Sequence, residues 1–154
     1  MRPLLLLDVD GVLSPTGIAV PPRYERRVTA TFSVVVRPDH GEWLRELAVA
    51  YELVWASTWG SKANEVYGTI HALEEMPVIP LGQLPRSGTR KLAAVDRYVG
   101  DRAFAWIDDE LYDDAVSWAQ ARSAPTLLVR TRASIGLTHA DVERLHEFAA
   151  RTAR

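Results

Sequence analysis

At 154 residues the chain is long enough for one domain and too short for two full ones, and its 47% hydrophobic and 25% charged residues suit an ordinary core under a charged surface. The absence of cysteine excludes disulfide frameworks, zinc–thiolate sites and cysteine nucleophiles together, and fits a reducing, cytoplasmic setting. A formal charge of −2, from 18 basic and 20 acidic side chains, excludes a global field for nucleic acid and leaves only local patches.

The run Leu4-Leu5-Leu6-Leu7 meets Asp8 and Asp10 almost at once. It is too short for a signal segment or a membrane span and reads as a buried central strand of a parallel sheet. Asp8-Val9-Asp10-Gly11 follows, with Gly11 letting the chain turn away, so that two carboxylates can aim at one point beyond the strand. Such oxygens suit Mg²⁺. One carboxylate can attack phosphorus, and the other can protonate a leaving oxygen and then deprotonate water. Asp and Gly are also simply good turn formers.

Ile18 and Val20, a Pro21-Pro22 turn, and then Val28, Ala30, Phe32 and Val34 alternating with Thr29, Thr31 and Ser33 predict a β-hairpin flap over about 14–37. Arg23, Tyr24, Arg26 and Arg27 fall at its turn, where such a cluster can grip phosphate and stack on a base, or be a solvated tip. Asp39 is placed to cap a helix carrying Trp43, Leu44, Leu47 and Ala48. Leu53 to Ala56 reads as the second buried strand, ending at Ser57-Thr58. A hydroxyl there can donate to a phosphoryl oxygen, although Ser and Thr are common at strand ends.

A weakly patterned helix over 61–73, a short strand over 77–81 and a loop over 83–89 come next. Lys91 opens a helix with Leu92, Val95 and Val99 on one face; it can neutralise a phosphate as a point charge, or be solvated, and Arg86 and Arg90 before it carry the same two readings. Phe104 to Ile107 reads as a strand running into Asp108-Asp109, whose charges repel unless a cation or a helix N-terminus compensates. Helix capping by one of the two is the other reading. A helix over 110–122, a strand over 126–129 and a final helix opened by a Thr138/Asp141 capping box complete the chain. Trp43, Trp55, Trp106 and Trp118 read as core and Trp59 as packing, and no pair among the four histidines has metal-ligand spacing. The β–α alternation predicts a three-layer α/β/α, Rossmann-like parallel sheet, with any ligand site beyond the carboxyl ends of its strands.

Asp-x-Asp-Gly, a strand-terminal Ser/Thr, a Lys and a late Asp-Asp, in this order from Leu4 to about Val129, resemble the haloacid dehalogenase (HAD) superfamily. The stretch Trp55-Ala56-Ser57-Thr58-Trp59, with Ala63-Asn64 after it, resembles a subgroup associated with bacterial RNA-repair proteins. The resemblance implies Asp8 as nucleophile and Asp10 as general acid/base, with Ser57 (or Thr58) and Lys91 holding the phosphoryl group. It further implies Mg²⁺ on Asp8, the Asp10 backbone carbonyl and Asp108, with Asp109 assisting. Thr58, Gly11, Arg23 and Arg90 are the candidates for further substrate contacts. Ser57 is preferred over Thr58 because it directly follows the apolar strand.

The second acid, Asp10, favours phosphate-ester chemistry over carbon–halogen cleavage. The segments between motifs leave no room for a cap domain, so one domain over 1–154 is expected, a phosphatase with an open site. Such a site fits a nucleotide, a nucleic-acid end or another bulky phosphate monoester, or closure by a partner subunit in a homodimer. A receiver-like phosphoacceptor or a binding domain is the rival reading, but receivers pair adjacent acids on the first strand and place lysine after the last.

Overall fold

The structure is a computed structural model describing residues 1–154. In chain order it contains β1 (Leu4–Leu7), β2 (Glu25–Val28), β3 (Ser33–Val36), α1 (Asp39–Ala50), β4 (Glu52–Trp55), a π-wound turn (Asn64–Gly68), α2 (Leu92–Val99), β5 (Phe104–Asp108), α3 (Asp113–Ala121), β6 (Thr126–Arg130) and α4 (His139–Thr152). β1, β4, β5 and β6 form a parallel sheet of order β4-β1-β5-β6, and β2 pairs antiparallel with β3 in a separate hairpin. This is the expected α/β, Rossmann-like arrangement with a small hairpin after the first strand.

All four β1 leucines are buried, because both faces of the sheet are covered. Leu5 and Leu7, Leu53 and Trp55, and Ala105 and Ile107 join the core under α1 and α4. Leu4 and Leu6, Val54 and Ala56, and Phe104 and Trp106 join the core under α2 and α3. The alternation follows from the two-residue period of a strand. Leu7 lies beside both Trp55 and Ile107, so three strands end level. That common edge brings together the polar residues that follow each strand.

Several local expectations change. The hairpin turn lies at Thr29–Phe32, where the Thr29 N–H donates to Phe32 O (2.7 Å) and the Phe32 N–H to Thr29 Oγ1 (3.0 Å); Pro21-Pro22 lie before β2. Arg26 and Arg27 are therefore on β2, and Arg23 is at its entrance. Asp39 does not cap α1; its carboxylate accepts from Arg37 Nε (2.8 Å) instead. The expected strand over 77–81 shrinks to one bridge, Trp55 with Val78, because Pro77 and Pro80 have no N–H to extend a ladder. The predicted helix over 110–122 starts only at Asp113, because the backbone is extended at Tyr112 (φ −108°, ψ −174°); the Glu110 and Tyr112 N–H groups donate to Asp108 Oδ1 (2.9 Å) and Thr89 Oγ1 (2.9 Å). The Thr138/Asp141 capping box forms as predicted. Trp43 and Trp118 are half-buried rather than core.

Candidate active site

Asp8 leaves the end of β1 and is 5% exposed; Asp108 closes β5 and is 1% exposed. Lys91, at the start of α2, reaches between them, with Nζ 3.0 Å from Asp8 Oδ1 and 2.7 Å from Asp108 Oδ2. The remaining contacts fix the two carboxylates. Val9 N–H donates to Asp8 Oδ1 (2.8 Å) and Glu110 N–H to Asp108 Oδ1 (2.9 Å). Asp109, half-buried, turns a carboxylate oxygen to within 4.8 Å of oxygens from Asp8 and Asp108.

The electrostatics are out of balance. Burial, and then repulsion from Asp108, raise the Asp8 pKa well above its ordinary value against the pull of Lys91. Asp109 is raised likewise, by burial first and Asp108 second. Burial works against the Lys91 ammonium, but Asp8 and Asp108 more than offset it and hold its pKa above the ordinary value. Three converging carboxylates, two of them buried, face one ammonium, and an excess of negative charge there calls for a further cation. The donors are all hard oxygens, the set that Mg²⁺ takes. Gly11 makes the convergence possible: with φ +78°, a Cβ on it would lie 2.5 Å from Asp109 Cγ. Asp8, Asp108 and Asp109 thus fit a divalent cation.

Ser57 is buried where the chain leaves β4, its Oγ accepting from Trp59 N–H (3.2 Å), while Thr58 is exposed beside it. Asp10 is exposed, one residue beyond the buried Val9, and its Oδ2 accepts from Trp59 Nε1 (3.1 Å). Arg90 points outward and pairs with Glu110 (3.3 Å). Arg23 is exposed with φ 70°, next to Tyr24, whose hydroxyl donates to Ile135 O (2.7 Å). The structure thus brings Asp8, Lys91, Asp108 and Asp109 into one cluster, with Gly11 packed against it.

Four residues absent from the sequence-based set support it. Thr89 Oγ1 donates to Asp114 Oδ1 (2.6 Å) and its N–H to Asp114 Oδ2 (3.0 Å), which pins the loop that delivers Lys91. Thr131 Oγ1 donates to Gly11 O (2.7 Å), and its N–H to Asp108 O (3.1 Å), tying the two acidic turns together. Trp59 is the fourth. Threonines in loops, and an aspartate in the first turn of a helix such as Asp114, carry no pattern that separates them from ordinary polar surface, so only their three-dimensional partners reveal them.

The family described as HAD domain in Swiss Army Knife RNA repair proteins matches residues 4–142. The chain belongs to this family. As a HAD domain it has its paired acids, hydroxyl, lysine and late acids along the carboxyl edge of the sheet, in the order read from the sequence. No curated protein matches it. Among solved structures it is similar to the fission yeast RNA polymerase II CTD phosphatase Fcp1 bound to beryllium fluoride, at 17% identity and a TM-score of 0.43, covering 99% of this chain and 51% of that one. The HAD domain thus spans about half the length of that structure. No helix is long and apolar enough to cross a membrane.

Proposed function

We propose that this HAD domain is a Mg²⁺-dependent phosphatase that hydrolyses a phosphate monoester through a phosphorylated Asp8. The observation that carries the reading is the Asp8–Lys91–Asp108 arrangement, with Asp109 converging on it from the next position. Asp8, Asp108 and Asp109 would hold the cation, together with the Asp10 backbone carbonyl. When bound, Mg²⁺ would neutralise these carboxylates and draw charge from the phosphoryl oxygens.

The residues divide the chemistry as follows. A carboxylate oxygen of Asp8 forms a bond to phosphorus while the ester P–O bond breaks. The Asp10 carboxyl gives its proton to the departing oxygen, which leaves as an alcohol. The Asp10 carboxylate then takes a proton from water, whose oxygen bonds to phosphorus as the P–O bond to Asp8 breaks, releasing inorganic phosphate. Lys91 and the Ser57 hydroxyl face the charge that accumulates on the phosphoryl oxygens. The family's description favours a phosphorylated nucleic-acid end or nucleotide as substrate. The exposed cations Lys62, Arg90 and Arg130 are suited to such a ligand.

The test is turnover of an aryl phosphate, and then of nucleotides and 3′- or 5′-phosphorylated RNA, with Mg²⁺ present and chelated. Asp8→Asn should abolish turnover in a folded protein, and wild-type protein quenched during turnover should carry phosphate that hydroxylamine releases. Near-normal activity in Asp8→Asn would overturn the assignment.

A further inference from the structure

We infer that Trp59 is a positioning residue for Asp10: its indole N–H holds one carboxylate oxygen and fixes the orientation of that side chain toward the leaving oxygen. The inference rests on the phosphatase reading, because that reading gives Asp10 its task. Asp10 needs such a restraint. It is exposed, and an exposed aspartate is free to sample several rotamers, whereas a general acid must meet one atom of the substrate. Trp59 Nε1 donates to Asp10 Oδ2 at 3.1 Å, which leaves Oδ1 to face the reacting group.

The tryptophan is itself firmly held. Its ring stands edge-on to Tyr67 (centroids 5.1 Å apart, planes at 88°) and tilted against Phe32 of the hairpin turn (5.3 Å, 53°). Tyr67 Oη is 2.7 Å from Ser14 Oγ, and Ser14 Oγ donates to Val35 O on β3 (2.6 Å). Ser14 O in turn accepts from Gly11 N–H (2.7 Å), inside the turn that carries Asp10. The ring therefore joins the hairpin, the π-wound turn and the acidic turn around one side chain. Packing between Phe32 and Tyr67 would be served equally by a phenylalanine. What tryptophan adds is a polar edge with a hydrogen-bond donor, and that donor is spent on Asp10.

The consequence is dependence on the leaving group. An alkyl phosphate releases a strongly basic alkoxide and needs the acid, whereas p-nitrophenyl phosphate releases a stable phenolate and barely needs it. Trp59→Phe keeps the ring and removes the donor. Its kcat/KM, which reports the steps up to release of the leaving group, should fall roughly 10-fold or more on an alkyl phosphate and stay within about 2-fold on p-nitrophenyl phosphate. Asp10→Asn should give the same pattern in stronger form.

Equal loss on both substrates, or no loss on either, would overturn the inference while leaving the phosphatase reading intact. If the wild-type protein turns over neither these esters nor nucleotides nor 3′- or 5′-phosphorylated RNA, the phosphatase reading fails, and the contact is then judged by NMR. The Trp59 indole N–H resonance, identified by its absence in Trp59→Phe, should move in Asp10→Ala and in Phe32→Ala. An unmoved resonance in Asp10→Ala would remove the hydrogen bond and the inference with it.

Discussion

Lys91 and Asp8 are opposite cases of a buried charge. Lys91 is 7% exposed and is the ammonium bridging two buried carboxylates, so solvent does little to screen it. Lys91→Met leaves Asp8 and Asp108 uncompensated and should cost about 3–5 kcal/mol in urea unfolding with chelator present. Added Mg²⁺ should recover part of that loss. Equal stability of variant and wild type in chelator would show that Lys91 does not compensate the two buried carboxylates. Asp8→Asn should behave the other way. The Asp8 pKa is raised by burial and by Asp108, so its ionised form weighs against the fold at neutral pH. The variant should therefore be at least as stable as wild type without metal, and a lower unfolding midpoint would contradict the sign.

The β4–α2 region depends on one amide more than on any helix propensity. Asn64 Oδ1 accepts from Trp55 Nε1 (2.8 Å) and from Met76 N–H (2.9 Å), and its Nδ2 donates to Met76 O (2.9 Å). It thereby fastens β4, the π-wound turn and the extended segment beyond it. Asn64→Ala strands the Trp55 indole and two backbone groups, and should lower stability by about 2–3 kcal/mol in thermal or urea unfolding. A loss below about 0.5 kcal/mol would mean that water replaces the amide.

Elements of this kind mark the limit of what the sequence disclosed. Leu4 to Leu7 and Phe104 to Ile107 were legible because apolar runs bounded by acids have few other meanings. Asp8, Asp10, Lys91 and Asp108-Asp109 were legible because their order repeats a known chemistry. The hairpin turn falls at Thr29–Phe32 and not at Pro21-Pro22 because it is closed by a threonine side chain, which leaves no Gly or Pro signal in the sequence. Trp59 reads as packing in the sequence because an aromatic residue there does not reveal where its N–H points.

Across the whole molecule, the response to acid is set on the face opposite α2 and α3. His40 is fully buried, its Nε2 bonded to Leu137 O (2.9 Å), and His71 is 3% exposed with ring centroids 6.1 Å apart from it. Burial lowers both from the ordinary 6.5 to about 4; Arg37 and the facing His71 add to this for His40, and Arg45 and Arg27 for His71, while the Leu137 bond and Asp39 oppose it at His40. Between about 6.5 and about 4 the unfolded chain therefore binds protons that the folded chain refuses, and stability falls as pH falls through that window. Each histidine should cost about 2 kcal/mol at pH 5 relative to pH 7. The raised Asp8 and Asp109 carboxyls pull the other way, so the comparison is with His71→Gln, which should flatten the dependence. Identical urea midpoints for wild type at pH 7 and pH 5, and an identical profile in His71→Gln, would contradict it.

The level ends of β1, β4 and β5 also bear on how the molecule comes into being. The acidic cluster draws on positions from Asp8 to Asp109 and takes shape only where Leu7 lies beside both Trp55 and Ile107. During synthesis the first half of the cluster emerges long before the strand that completes it, and no nascent chain shorter than β5 can hold a cation there. If the proposed Mg²⁺ binds at this cluster, its capture waits for β5, and its onset on a growing or refolding chain would serve as a clock for when the central sheet has closed.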